Sequence, residues 1–224
     1  MALFLALDWT AASAHGWRLL PKPPGVVVQD RTVSLTGEGM RSHWRAIVSK
    51  TLAGRMRDGA AVYQWHLSIY APASGNSARL AYQSPGRSAL LATVQKARDA
   101  PMYFPLQTLS IVGTAELERP AVQDLVVAFQ ESGADCGMAT VAVLGADAHG
   151  RISVRKSLTN YCSLHAAVVR GGELAALRIT GPYYTARSAV CCPAKAKATA
   201  ILRYRNGAWI LTPAIFPPAA SRLP

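Results

Sequence analysis

The segment of residues 203–209 reads RYRNGAW, and it decides how the last part of the chain folds. An Asn-Gly pair between apolar and aromatic residues is the strongest short signal for a β-hairpin, because both loop positions take positive φ. A two-residue loop pairs Arg205 with Ala208. Tyr204 then faces Trp209 across the two strands. The segment therefore predicts an antiparallel hairpin with an aromatic cross-strand pair.

A second hairpin signal lies upstream, where two glycines stand between Arg170 and Glu173. A two-residue Gly-Gly loop pairs these two charged residues with each other. The same register sets His165 opposite Arg178. The sequence thus predicts a second tight hairpin in this half of the chain.

A third signal is Asp147-Ala-His-Gly-Arg151, a three-residue loop whose last residue is glycine. This composition suits a type I turn closed by a left-handed glycine, and it pairs Asp147 with Arg151. If the same register continues along the hairpin, Cys136 and Cys162 are directly opposed. Opposed Cα atoms lie about 4.5 to 5.5 Å apart, which a disulfide tolerates. We expect a Cys136–Cys162 bond, unless a β-bulge shifts the register.

The remaining cysteines, Cys191 and Cys192, are adjacent in the sequence. Four cysteines allow three connectivities, and in two of them the adjacent pair holds both strands of the hairpin. The register favours the third, in which Cys191 and Cys192 bond each other or stay reduced. A vicinal pair can act as a redox or metal-responsive switch, but a structural staple before Pro193 is the commoner role.

The first half of the chain predicts helices mixed with strands. A helix is expected after Ser42, because four large apolar residues recur at helical spacing: Trp44, Val48, Leu52 and Met56. A second helix is expected from Pro85 to about Asp99. Alternation of apolar and polar residues predicts strands at 61–71, 78–83 and 108–117.

From residue 124 to residue 211 the patterns predict strands alone. The expected fold class is therefore α+β, with helices and mixed strands first and then an antiparallel β-meander of about six or seven strands. The expected organisation is a possible remnant of an export signal at 1–14, an α/β half at 15–118, an antiparallel half at 119–211 and a Pro-rich tail at 212–224.

The charge of the chain is strongly positive and evenly spread. Its 224 residues carry a net charge of +12, and each half of the chain contributes half of the excess. No zinc finger, basic heptad or aromatic RNA-binding signature concentrates this charge, so no specific nucleic-acid signature is present. A diffuse positive field suits a protein that lies beside anionic envelope polymers or lipid.

The first fourteen residues, MALFLALDWTAASA, combine an apolar stretch with small residues suited to a cleavage site. This pattern fits an export signal that starts upstream, a fragment of one, or an ordinary first strand, and an export signal is favoured. An opposed cysteine pair also indicates an oxidising compartment. No apolar run reaches the length of a membrane-spanning helix. We therefore expect a secreted or periplasmic protein.

Two resemblances accompany this interpretation. Cys162, the Gly-Pro-Tyr-Tyr of 181–184, the Cys-Cys-Pro of 191–193 and the Asn-Gly hairpin with Trp209 resemble the C-terminal part of secreted bacterial proteins of the LppP/LprE type. That resemblance implies an envelope location. The ending Asp124-Leu-Val-Val resembles an FG-GAP repeat, whose acidic loop binds calcium. Here residues 116–120 replace the acidic loop, so no calcium site is expected.

The sequence offers few groups for catalysis. Its five histidines are not at metal-ligand spacing, and neither a nucleophile elbow nor a phosphate-binding loop is present. No catalytic residue, metal or cofactor is therefore predicted. The candidate binding surface is the segment 181–197, whose aromatic and basic side chains suit an anionic polymer or a protein partner. Its members are Tyr183, Tyr184, Arg187, Lys195 and Lys197.

The predicted function is that of a secreted or periplasmic envelope-associated protein, non-catalytic, which binds an anionic polymer or another protein through 181–197. One alternative is an envelope hydrolase with an unrecognised acidic site. The other is a secreted inhibitor or accessory subunit.

Overall fold

The computed structural model describes residues 18–35, 43–55, 61–73, 77–84, 106–132, 138–161, 163–170, 172–183 and 195–213. Within these ranges all regular structure is β-strand, arranged in three sheets. The expected α+β class is therefore wrong, because no described segment forms a helix. The division of the chain at 118/119 stays a prediction.

Sheet A contains five strands in the order β1-β5-β4-β3-β2. Only the β1–β5 pair is parallel. The strands are β1 (Arg18–Leu20), β2 (Val26–Val33), β3 (Trp44–Arg55), β4 (Ala61–Pro72) and β5 (Ser77–Gln83). The predicted strands at 61–71 and 78–83 are confirmed as β4 and β5, which pair with each other.

The helix predicted after Ser42 is wrong, since Trp44–Arg55 is the long strand β3. The error has a simple origin: a spacing of four residues approximates a helical turn, but it is also a multiple of the two-residue period of a strand. Trp44, Ala46 and Val48 share one face of β3, and Ile47 on the opposite face is buried as well. The second predicted helix lies outside the described residues.

Sheets B and C are four-stranded antiparallel meanders. Sheet B contains β6 (Leu106–Arg119), β7 (Val122–Ser132), β8 (Met138–Ala146) and β9 (Ile152–Tyr161). Sheet C contains β10 (His165–Val169), β11 (Ala176–Tyr183), β12 (Lys195–Arg205) and β13 (Ala208–Thr212). The predicted meander is thus antiparallel, but it is divided between two sheets and does not form a single one.

The Asn-Gly hairpin is confirmed. Asn206 and Gly207 both have positive φ, 50° and 79°, as the two-residue loop requires. Tyr204 pairs with Trp209, and their rings meet edge to face with centres 5.4 Å apart. Local sequence alone determined this turn.

The Gly-Gly hairpin was predicted in the wrong register. His165 pairs with Thr180 and not with Arg178, and the ladder closes at Val169 and Ala176. The connection is longer because it is held by another sheet: the Ala175 amide donates a hydrogen bond to the Glu116 carbonyl of β6, at 2.9 Å. The hydrogen bond between sheets B and C therefore favours a longer loop than the Gly-Gly pair alone predicts.

The Asp147 turn forms as predicted, with Gly150 at φ 74°. The Asp147 carboxylate accepts hydrogen bonds from the Arg151 amide and guanidinium and from the His149 amide. These bonds lower the pKa of this carboxyl to about 2.

The register predicted from this turn holds only beside it. A bulge between Val143 and Leu144 shifts the register by one residue, so that Met138 pairs with Tyr161. The four cysteines lie outside the described residues. Their pairing stays a prediction, although the unslipped register behind the Cys136–Cys162 bond does not extend along the whole hairpin.

Sheet B is the middle layer, and both of its faces are buried. One face packs on sheet A, where Leu125, Val127 and Leu144 meet Val48 and Ile69. The opposite face packs on sheet C through a second cluster, whose members include Val126, Val141, Leu177, Ile179 and Leu202. The two cores position sheets A and C on opposite sides of sheet B.

Candidate functional site: the open face of sheet C

Strand β12 places polar and apolar residues on opposite faces of sheet C. Ala200 and Leu202 point into the core shared with sheet B. The alternate positions, from Lys197 to Arg205, therefore point away from the core. These outward residues are Lys197, Thr199, Ile201, Arg203 and Arg205.

The outward face of sheet C is open to solvent. Lys197, Arg205 and the neighbouring Arg178 are exposed, and Arg203 is half-buried. Arg178 lies opposite Ile201 on the adjacent strand. Adjacent strands are about 4.8 Å apart, and positions two residues apart along a strand are about 6.7 Å apart. Four cations therefore share one face within roughly 26 Å, the length of eight residues of strand. We call Arg178, Lys197, Arg203 and Arg205 the basic face.

These cations have no acidic partners within the described part of the chain: none of the four takes part in an ion pair there. Glu173 is the one acidic residue among the described residues 163–183 and 195–213. The Nε atom of Arg203 is shielded from solvent and has no hydrogen-bond partner in the described structure. A bound anion can satisfy this donor and the free charges beside it.

Sheet A is also basic, but its cations do not form a comparable surface. Arg31 follows the register of the face toward sheet B, whereas Arg45 lies on the opposite face. Arg45 is also engaged by Asp30 through two hydrogen bonds. Arg31 and Arg45 therefore do not share a face, whereas the four cations of sheet C do.

The centre of the basic face is polar and lacks aromatic rings. Thr180 and Thr199 pair across β11 and β12, and their hydroxyl oxygens are 3.5 Å apart. His165 lies opposite Thr180 and is exposed. The outward positions of β12 and β13 contribute isoleucine, threonine and alanine. Such a surface offers charge and hydrogen bonds, but no platform for stacking bases.

The structure describes three members of the predicted binding surface. Lys197 is exposed on β12 and belongs to the basic face. Tyr183 is half-buried and pairs in register with Lys195 at the start of β12. Tyr184 and Arg187 lie outside the described residues. The structure therefore joins Lys197 to arginines that the prediction did not include.

Sequence reasoning missed Arg178, Arg203 and Arg205 as site residues, although a signal was present. Residues 197–205 read KATAILRYR, with lysine, threonine, isoleucine and two arginines at alternate positions. Together with the Asn-Gly turn, that alternation placed the cations on one face of a strand. The sequence did not show that this face is the uncovered one.

Beneath sheet C lies a buried carboxyl that sequence reasoning also missed. Asp124 on β7 is buried and accepts hydrogen bonds from the amides of Leu117 and Glu118, both at 3.2 Å. Gly145 leaves it room, because a Cβ at that position would lie 2.7 Å from Asp124 Oδ1. Burial, assisted by the nearby charge of Glu118, raises the pKa of Asp124 to about 6.

Glu118 joins this carboxyl to sheet C. Its side chain accepts a hydrogen bond from the indole N–H of Trp209 at 3.1 Å, and its other oxygen lies 3.8 Å from Arg155 Nε. The Glu118 carboxylate thus connects β13 to sheet B. Its charged atoms lie between two sheets, which suits a structural connection.

The far face of sheet A, the face turned away from sheet B, carries buried polar side chains beside a small apolar cluster that includes Ile47 and Tyr70. Ser49 and His66 are directly opposite each other in the ladder, and Ser68 lies two residues from His66. All three are buried, and the hydroxyl of Ser49 and the Nδ1 of His66 have no hydrogen-bond partner in the described structure. The His66 Nε2 pairs with the Thr51 hydroxyl at 3.0 Å. Burial lowers the pKa of His66.

Within the described residues, no group of three or more His, Cys, Asp or Glu side chains is arranged to hold a metal ion. The same residues contain no helix of the length and apolarity needed to cross a membrane. Comparisons of the chain with protein-family models, with curated proteins and with solved structures found no match. The two resemblances stay predictions.

Proposed function

We propose that this protein is a non-catalytic binding protein, which holds a linear anionic polymer of the cell envelope on the basic face of sheet C. The observation that carries the proposal is the presence, on one open sheet face, of four cations that have no ion-pair partner among the described residues. Guanidinium groups in particular form paired hydrogen bonds with carboxylate and phosphate oxygens.

The shape of the face favours a polymer over a small ligand. An open, four-stranded sheet face offers no enclosed volume, and its cations extend along β12 for roughly 26 Å. A chain with repeated negative charges can contact several of them at once. The lack of aromatic side chains at the described outward positions disfavours single-stranded nucleic acid, which such proteins hold by stacking.

The buried carboxyls do not favour the hydrolase alternative. Asp124 and Glu118 lie between sheets B and C, and Asp124 is 3% exposed. A substrate polymer has no access to an acid in that position. The inhibitor or accessory-subunit alternative shares the open face, and a protein partner of acidic surface is the competing occupant.

The test measures affinity for alginate, a linear polyuronate, by isothermal titration calorimetry at several salt concentrations. The wild-type protein binds alginate but not dextran, a neutral polysaccharide. The double variant Arg203→Gln/Arg205→Gln loses about tenfold in affinity, and its dependence on salt weakens.

The matched control is Arg31→Gln/Arg79→Gln, which removes two exposed cations from sheet A. It leaves the affinity for alginate within about twofold of wild type. Equal losses in the two double variants would show that the general positive charge, and not the basic face, attracts the polymer. Tighter binding of a single-stranded oligonucleotide than of alginate would contradict the choice of polymer.

The proposed compartment is the periplasm or the exterior of the cell. Its support is the sequence alone: the apolar stretch near residue 1 and the presence of four cysteines. Cell fractionation with thiol titration tests it, and a cytoplasmic protein with four free thiols would contradict it.

A further inference from the structure

The end of sheet A that lies beyond sheet B exposes a concentration of apolar side chains. We call it the distal end: Val26–Val28 of β2, 50–55 of β3 and 61–65 of β4. Five of the eight exposed large hydrophobic residues in the described structure lie there. These five are Val26, Val27, Val28, Leu52 and Tyr63.

At the distal end, the core-facing side of sheet A extends beyond the part that sheet B covers. The cluster shared with sheet B includes Ala46 and Val48 and is flanked by Trp65. The next positions on that face, Leu52 and its partner Tyr63, are 57% and 37% exposed. Apolar side chains in the pattern of a core face therefore meet solvent.

Apolar exposure is found on both sides of the strands here. Val26, opposite Lys50, follows the face of Leu52 and is 65% exposed. Val27, opposite Ser49, points to the other side and is 45% exposed. A single flat partner covers one face of a sheet. A surrounding phase into which the end of the sheet inserts covers both faces.

A lysine sits among these apolar groups. Lys50 Nζ lies 4.2 Å from the centre of the Tyr63 ring and 5.6 Å from that of Trp65. Gly25, at φ 66°, holds the start of β2 against this position, since a Cβ there would collide with the Lys50 carbonyl oxygen. Tyrosine, tryptophan and lysine with apolar neighbours are the composition of the boundary between lipid chains and headgroups.

The geometry points to an anionic lipid surface as the occupant of the distal end, into which its apolar side chains insert. The charge agrees, because the described distal end contains Lys50 and Arg55 and no acidic residue, and a chain of net charge +12 is attracted to anionic headgroups. This peripheral contact is separate from the polymer site on sheet C.

The test is co-sedimentation of the purified full chain with vesicles of phosphatidylcholine containing about a third phosphatidylglycerol. The wild type binds these vesicles more tightly than vesicles of phosphatidylcholine alone. Leu52→Ser and Val26→Ser each lower the partition coefficient about tenfold, since each removes an inserted apolar group. Val154→Ser is the matched control: Val154 is 52% exposed on β9, and its replacement leaves partitioning unchanged.

Three results would overturn the inference. The first is a wild-type protein that does not sediment with either type of vesicle. The second is a loss of vesicle binding in Arg203→Gln/Arg205→Gln with no effect of Leu52→Ser, which would assign the contact to the basic face. The third is self-association in analytical ultracentrifugation that Leu52→Ser abolishes without changing vesicle binding, which would make the distal end an interface between copies. Thermal unfolding of each variant verifies that it folds, and alginate binding by Leu52→Ser shows that the polymer site is intact.

Discussion

The far face of sheet A and the outward face of sheet C both carry polar side chains, yet those side chains differ in their burial. On sheet A, Arg45, Ser49, His66 and Ser68 are buried, and Arg45 is held by Asp30. On the outward face of sheet C, Arg178, Arg203 and Arg205 are exposed or half-buried and unpaired within the described structure. An alternation of polar residues along a strand therefore identifies its polar face. Whether that face is buried decides whether its residues stabilise the fold or remain available to a ligand.

The largest expected effect comes from the ion pair of sheet A. Asp30→Asn leaves the Arg45 charge without its partner in a side chain that is only 10% exposed. Breaking a buried pair costs about 3 to 5 kcal/mol. Since the Asp30 side chain is 32% exposed, we expect a loss of about 2 to 3 kcal/mol in the free energy of unfolding, measured in urea. An unchanged midpoint would show that solvent screens the Arg45–Asp30 pair and that the pair contributes little to stability.

A second effect concerns Asp124, the buried acid under sheet C. Its pKa is raised from 3.8 to about 6 in the folded protein, so between these pH values the folded state binds more protons than the unfolded state. The contribution of Asp124 to stability therefore falls as the pH rises from about 4 to about 6, by roughly 2 to 3 kcal/mol.

Urea unfolding of wild type and Asp124→Asn at pH 4, 5, 6 and 7 tests this sign. The stability difference, wild type minus variant, should decline over this range. His66 acts in the opposite direction, because burial lowers its pKa and its contribution is lost as the pH falls below about 6.5. A difference that grows with pH would contradict the assignment to Asp124.

A smaller effect separates a buried hydroxyl from an exposed one. The Ser49 hydroxyl is buried without a partner in the described structure, so Ser49→Ala should raise the free energy of unfolding by about 1 kcal/mol. Ser157→Ala, at an exposed position of β9, should change it by less than about 0.5 kcal/mol. If Ser49→Ala destabilises the protein, the hydroxyl has a partner that stabilises it.

The smallest stability effect is expected on the basic face. Arg178→Gln removes an exposed charge with no partner in the described structure, and the free energy of unfolding should change by less than about 0.5 kcal/mol. Its affinity for alginate should nevertheless fall by about threefold. A variant that loses stability and not affinity would place Arg178 with the structural charges of sheet A.

The sequence predicted those parts of the fold that local chemistry determines. The Asn206-Gly207 turn needs only two residues that accept positive φ, and its register was correct. The Gly171-Gly172 turn failed because the bond from Ala175 to Glu116 joins segments far apart in the chain. Trp44, Val48 and Leu52 fit a helix and a strand equally well, and only packing on sheet B decides between them.

The candidate site also has features that local sequence predicts and features that depend on long-range packing. The alternation of residues 197–205 indicates one polar face, which the interpretation of the sequence did not include. Lys197, one of the predicted binding residues, lies on that face, and its role in binding stays a prediction. Which polar face remains open depends on the order of the layers, and the sequence does not contain that order in any local pattern. The burial of Asp124 depends equally on Gly145, a residue of the next strand.

The position of sheet B between the other two sheets sets a distance between the two proposed contacts. Stacked sheets are about 10 Å apart, so the planes of sheets A and C are separated by roughly 20 Å. The screening length at physiological ionic strength is about 8 Å. Neutralising the charge of sheet C therefore changes the electrostatic potential at the distal end very little. A polymer bound to sheet C would not weaken the proposed lipid contact. Sheet B thus separates the two proposed contacts, and under both proposals the molecule would link two anionic surfaces at once.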